Sequence, residues 1–143
     1  MIEYFLLSVV VFFGLVSGLL ISHFAKEELD AGKKYFVLVQ RLLALIIFCV
    51  FLYSFHMKIY IIIIALFILS TLIYQLKFAV PVYYVVFGGL FFFSPERLNL
   101  SALMFLFGLP SGALIYKDMK SFLFSLLFFV PVVVFYVVQL FLK

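Results

Sequence analysis

Residues 2–23, IEYFLLSVVVFFGLVSGLLISH, form one continuous apolar run in which Glu3 is the sole charged side chain before His23. A helix rising about 1.5 Å per residue would cover the roughly 30 Å hydrocarbon core of a bilayer over such a run. The apolar residues are consecutive rather than alternating, which selects a membrane helix over the strand of an outer-membrane barrel. The n-region carries Glu3 and no Lys or Arg, and the apolar run is long for a signal peptide. The segment is therefore expected to remain in the mature protein as the first span.

The rest of the chain repeats this pattern. Of 143 residues, 69% are hydrophobic and 11% charged, and the mean hydropathy is +1.41. Soluble domains average about 45–50% apolar and about 25% charged residues, so lipid must supply much of this chain's surroundings. Further spans are expected over residues 35–55, 59–76, 78–93, 95–116 and 121–142. The fold class is thus all-α: a polytopic transmembrane helix bundle of about six spans, one domain over residues 1–143. Pro81 falls in the first turn of the fourth span, where a missing N–H costs little. Ser94 and Pro95 have the residue types of an N-cap and a first helical position. The junction at residues 75–78 has Lys77 but no Gly or Asn, and a five-element reading with a re-entrant segment is the alternative there. Tyr4, Tyr35, Tyr60, Tyr74 and Tyr116 fall near span ends, where an aromatic belt belongs in a chain without Trp. Cys49 is the single cysteine, so no intrachain disulfide is possible.

Charge orients the bundle. Residues 25–34, AKEELDAGKK, form a polar segment in which Gly32 is placed to stop a helix leaving the membrane. Six alternating spans put Lys26, Lys33, Lys34, Lys77, Lys117 and Lys120 on one side, with Arg41 just inside it. Lys58, Arg97 and Lys143 fall on the other. The positive-inside rule makes the first side cytoplasmic. Both termini are then outside, and loops 24–34, 77 and 117–120 are cytoplasmic. The basic residues are scattered and form no run, so nucleic acid is not an expected partner despite a net charge of +4. Expected partners are membrane lipids, together with other membrane proteins or further copies of the chain.

Two segments nearly duplicate each other. Gly14-Leu15-Val16-Ser17-Gly18-Leu19-Leu20-Ile21 matches Gly108-Leu109-Pro110-Ser111-Gly112-Ala113-Leu114-Ile115, and residues 70–74 echo the second. All three precede cytoplasmic loops, which suggests three helical hairpins of like orientation. Gly14 and Gly18, like Gly108 and Gly112, are small residues one turn apart, with Ser17 and Ser111 beside them. Such faces let helix backbones approach closely. Packing grooves within one bundle are favoured over homodimerisation or a substrate-contact role. Pro110 and Pro131 each remove a ladder bond and are expected to kink their helices.

Ionisable residues concentrate at the first cytoplasmic loop. If the first helix continues to Asp30, then His23, Glu27 and Asp30 share one stripe at i, i+4 and i+7. An imidazole and two carboxylates could hold a divalent metal or perform acid–base chemistry. Lys26, Lys33 and Lys34 neutralise that cluster, however, and solvated helix ends look the same. Arg41 lies about four residues into an apolar run and must snorkel or find a partner. Glu28, Asp30 and Asp118 share its expected face. The candidate binding residues are His23, Glu27, Glu28, Asp30 and Arg41. No catalytic residue, metal or cofactor is expected. His23 and His56 lie on opposite expected faces, and mid-span positions lack Asp, Glu, Lys and His, which disfavours proton pumps and intramembrane proteases.

Residues 25–36, AKEELDAGKKYF, resemble a loop of uncharacterised small archaeal multi-pass membrane proteins. That resemblance implies an archaeal plasma membrane and no particular activity. The expected function is that of a non-catalytic membrane component: an accessory subunit, scaffold or small transporter-like protein. The alternative is a lipid-modifying enzyme with its site at the cytoplasmic interface.

Overall fold

The computed structural model describes residues 2–55, 61–63, 65, 68, 69, 80–95, 97–130, 133, 134 and 137. The side chains of Ile2, Tyr4, Lys26, Glu28, Asp30, Phe92 and Met119 fall outside that description. The regular elements among these residues are helical: α1 (Ile2–Phe24), α2 (Lys26–Ser54), α3 (Val80–Phe93), α4 (Arg97–Ile115) and α5 (Met119–Ser125). A 3₁₀ turn, Leu126–Phe128, follows α5 directly. Phe5–Phe24, Ala31–Ser54 and Arg97–Ile115 are long and apolar enough to cross a membrane, and Val80–Phe91 is a shorter apolar helix. The junction at residues 75–78, the echo at 70–74 and the kink at Pro131 lie outside the described residues.

The polar segment after α1 is helical rather than a loop. Only Ala25 interrupts the helices, at φ −106° and ψ 39°, and its N–H still donates to the Ile21 carbonyl at 3.0 Å. Gly32 lies inside α2 and does not stop it. A single glycine costs a helix about 1 kcal/mol, and the Lys, Glu, Leu and Ala residues around it are strong helix formers. Ser94 also differs from expectation. Its N–H closes α3 on the Leu90 carbonyl at 3.0 Å. Its hydroxyl is buried without a hydrogen-bond partner. Pro95 biases Ser94 away from helical geometry, so the serine terminates one helix without capping the next.

At the centre of the bundle, α1 and α4 run side by side in the same direction. Their glycines face one another. A Cβ placed on Gly14 would press on the Phe105 carbonyl, and one on Gly18 on the Leu109 carbonyl. From the other side, a Cβ on Gly108 would stand 2.5 Å from the Leu15 nitrogen and 2.8 Å from the Gly14 Cα. One on Gly112 would stand 2.6 Å from the Leu19 nitrogen and 2.7 Å from the Gly18 carbonyl carbon. These neighbours are all backbone atoms, so the two near-duplicate segments form a single seam of backbone on backbone. Such proximity maximises dispersion contact between helices. Pro110 sits within the seam's second strand of sequence, and α4 continues through it as α-helix.

Aromatic rings fill the space beside the seam. Tyr83, Phe87 and Phe91 recur at one-turn spacing on α3, with Tyr84 beside Tyr83. Phe107 of α4 meets Phe87 at a ring-centroid distance of 4.7 Å, Tyr83 at 5.4 Å and Tyr84 at 6.0 Å. Phe128 of the 3₁₀ turn packs on Tyr84 and Phe91. Tyr84, Phe87, Phe91, Phe107 and Phe128 are all fully buried.

Helix directions follow from these contacts. Arg41 acts electrostatically on Tyr83 and Phe48 meets Phe87 at 6.2 Å, so α2 and α3 run in the same sense. Gln40 reaches Ser111, while Leu29 and Lys33 lie beside Tyr116 and Lys117, so α2 runs opposite to α4. Consequently α2 ends at one end of the bundle and α3 begins toward the other. The described residues between them, 61–63, 65, 68 and 69, are helical.

Candidate functional site

The end of the bundle that carries Lys33, Lys34, Lys117 and Lys120 also carries His23 and Glu27, two of the polar residues singled out in the sequence. The last turn of α1 and the turn after α4 meet there through His23 Nδ1 and the Tyr116 hydroxyl, which share a hydrogen bond of 3.0 Å. Both rings also contact edge to face at 6.0 Å. This pair extends the glycine seam to the ends of its helices. His23 and Glu27 are both exposed. The break at Ala25 places them on different helices, so His23, Glu27 and Asp30 do not form one continuous helical stripe. Glu28 and Asp30 belong to α2, with their side chains outside the described set. Among the described residues no group of three His, Cys, Asp or Glu is arranged to hold a metal.

Deeper in the bundle lies a polar tie that composition alone did not single out. Gln40 Nε2 donates to Ser111 Oγ at 3.1 Å, with both residues buried. Ser111 is the serine of the second glycine segment, so α4 presents glycines to α1 and a hydroxyl to α2. Arg41, the next residue, is partly buried and its charge acts on Tyr83 of α3. Apart from Ser94, the other buried serines satisfy themselves locally: Ser8 donates to the Phe5 carbonyl, Ser22 to that of Gly18, Ser54 to that of Val50, Ser101 to that of Leu98 and Ser125 to that of Ser121. Such back-bonding hides a hydroxyl without a partner helix.

The Gln40–Ser111 bond can be measured. Interhelical side-chain bonds in membrane bundles contribute about 0.6 kcal/mol on average and about 1.7 at most. A double-mutant cycle of Gln40→Leu and Ser111→Ala, read by unfolding in mixed micelles, should give a coupling energy in that interval. A coupling of zero would remove the bond as a tie between α2 and α4.

Asp118 ends the α4–α5 turn. Its carboxylate accepts from the Lys120 and Ser121 N–H groups at 3.2 and 3.3 Å, and also from the Ser121 hydroxyl. It therefore caps α5. The Ser121 hydroxyl above all, then the Ser121 N–H, holds the carboxyl below its ordinary value of 3.8, and Lys120 adds to this. A carboxylate depressed in the fold contributes stability that is complete above the ordinary value and lost as pH falls through the lowered one. Acidification below about pH 4 should therefore lower the protection factors of the Lys120 and Ser121 amides, measured against their intrinsic exchange rates at each pH. Asp118→Asn should show lower protection at neutral pH and a weaker acid dependence of protection. An unchanged acid dependence in Asp118→Asn would assign the effect to another group.

Between α2 and the end of α4 lies a cleft of about 50 Å³. Lys33 and Phe36 line it from α2, Leu114 from α4, and Tyr116 and Lys117 from the following turn. The pattern was present in the chain: Leu29, Lys33, Phe36 and Gln40 fall at i, i+4, i+7 and i+11, a single stripe facing α4. What the sequence could not supply was the identity of the facing helix.

No family model matches the chain, and neither the curated proteins nor the solved structures contain a match to it.

Proposed function

We propose that the chain is a non-catalytic component of the cell membrane, a six-span bundle that serves as an accessory subunit or scaffold for other membrane proteins. The observation that carries this reading is the contrast between α4 and α2. Half of Arg97–Ile115 is buried, against 17% of Ala31–Ser54. Tyr35, Leu38, Leu42, Ile46 and Tyr53 of α2 are exposed, forming a long apolar flank suited to lipid and to a neighbouring helix. The interior, by contrast, is filled with aromatic rings and a backbone-tight seam, which suits a fixed frame better than a moving solute path.

Helix direction supports the span count. If α1 and α4 both cross the membrane in the same sense, an odd number of crossings separates them. One crossing each for α2, the chain between α2 and α3, and α3 itself satisfies that requirement. The fifth crossing then brings the chain to Lys117 and Lys120, and a sixth returns the C-terminus outside. Positive charge at residues 24–34 and 117–120 makes that end cytoplasmic.

A photoactivatable residue at Leu42 of α2, compared with one at the buried Met104, tests the proposal in native membranes. The Leu42 probe should give a discrete protein adduct, and the adduct should persist in His23→Ala and Glu27→Ala. Lipid adducts alone at Leu42 would contradict a scaffold role. Loss of phospholipid turnover in those alanine variants would instead support the lipid-modifying alternative, to which the interfacial His23–Tyr116 pair lends itself.

A further inference from the structure

We infer that the outer face of α1, the stripe Leu6, Val10, Phe13, Ser17 and Leu20, receives a second copy of this chain, so that the protein forms a two-fold dimer within the membrane. This rests on the chain spanning a membrane, as proposed above, and not on α2 having a protein partner. A Leu42 probe that meets only lipid leaves the dimer standing, and a monomeric chain leaves the scaffold reading standing.

Spacing is the first argument. The five positions succeed one another by four, three, four and three residues, the 3.5-residue period that keeps one seam between two helices in a left-handed pair. Leu6, Val10, Phe13 and Leu20 are exposed, and Ser17 is partly exposed. At about 100° per residue, the middle of the stripe lies about 100° round the helix from Gly14 and Gly18. Those glycines are committed to α4, so association between copies needs another face. Phe12, on which Phe122 and Phe129 pack, lies about 120° from the stripe on its other side.

Ser17 supplies the second argument, and it favours a second copy over lipid. The apolar window of α1 is Phe5–Phe24, which puts Ser17 within about 4 Å of its middle. At that depth water does not solvate a hydroxyl. Ser8, Ser22, Ser54, Ser101 and Ser125 return theirs to a carbonyl of their own helix. Ser17 forms no hydrogen bond among the described residues. Its counterpart in the duplicated segment shows what such a serine does beneath a neighbouring helix: Ser111 accepts from Gln40 of α2 at 3.1 Å. Both serines stand one residue before the second glycine of their segment, and the corresponding face of α1 is the exposed stripe. Lipid tails cover leucine and phenylalanine as well as protein does, but offer a hydroxyl no partner. A serine hydroxyl both donates and accepts, so Ser17 is complementary to its own copy across a two-fold axis. Two copies insert in one orientation and at one depth, which brings their serines level. Glu3 continues the stripe at its outer end and is exposed, where water and salt screen the pair of carboxylates.

The test uses the full chain in a Cys49→Ser background, reconstituted in phosphatidylcholine vesicles. Phe13→Cys and Leu20→Cys, oxidised with copper–phenanthroline, should give disulfide-linked dimers. Phe5→Cys, exposed but about 100° from the stripe, and Leu42→Cys on α2 should not. Energy transfer between separately labelled copies, followed as lipid is added, then measures the affinity. Ser17→Ala should weaken association about three- to twentyfold, the worth of one interhelical hydrogen bond in a membrane bundle. Ser17→Thr keeps the hydroxyl and should retain association, which separates the bond from disturbed packing. Three results would each overturn the dimer on this face: energy transfer no higher than randomly placed copies give, Ser17→Ala associating as tightly as the natural chain, or cross-links as strong at Phe5 and Leu42 as at Phe13.

Discussion

Alanine at Gly112 is expected to destabilise the bundle by about 3 kcal/mol or more, a large effect for one methyl group. The added carbon would meet the Leu15 carbonyl, the Leu19 nitrogen and the Gly18 carbonyl carbon of α1. Backbone atoms cannot turn aside as a side chain can. Either α1 and α4 separate along their length, losing dispersion contact, or the helices bend. Gly108→Ala faces the same wall from the Gly14 and Leu15 backbone and should behave alike. Gly89 of α3 supplies the contrast, because nothing lies within 4 Å of the place a methyl group would take there. Alanine at that position should stabilise by about 0.5–1 kcal/mol through helix propensity alone. Reversible unfolding in dodecyl sulfate–mixed micelles measures all three. A Gly112→Ala variant as stable as Gly89→Ala would show that the seam does not hold the fold.

Phe107→Ala should produce the second large loss. Its ring is fully buried and has three aromatic partners on α3, the nearest at 4.7 Å. Removing it leaves a void that rigid rings close poorly. Phenylalanine-to-alanine changes in soluble cores cost about 3–5 kcal/mol. In a bilayer the unfolded helix keeps its ring in lipid, so part of the transfer contribution vanishes. The expected loss is therefore about 2–3 kcal/mol, mostly packing. Phe107→Leu should recover much of it. Leu106→Ala, one residue away and exposed, should change stability by less than about 0.5 kcal/mol. Equal losses at 106 and 107 would mean that α3 does not pack on this face of α4.

The helical class and the long apolar segments were legible because membrane helices announce themselves by length and continuity. The glycine segments were visible as motifs, but nothing in either says which helix it faces. That pairing depends on tertiary geometry, and the parallel arrangement became plain only from Gly14 against Gly108 and His23 against Tyr116. The same limit applied at the charged end. The proposed stripe of His23, Glu27 and Asp30 assumed one continuous helix, and the bend at Ala25 divides it. Composition drew attention to the acidic residues, whereas the cleft is lined by Lys33 and Lys117 from segments 84 positions apart. Ser94 was legible as a residue type suited to an N-cap, yet Pro95 and the Leu90 carbonyl direct it to end α3.

Everything above depends on α1 and α4 running parallel, joined by their glycines, so that Phe24 and Lys117 occupy the same end of the bundle. Spin labels on cysteines at these two exposed positions, in a Cys49→Ser background reconstituted in lipid nanodiscs, test it by pulsed dipolar spectroscopy. A parallel pair predicts a short, narrow separation, set by the labels' own reach and one interhelical spacing of about 8–10 Å. An antiparallel pair would separate the labels by about 28 Å or more, the length of the 19-residue α4 at about 1.5 Å per residue, and would contradict the fold described here.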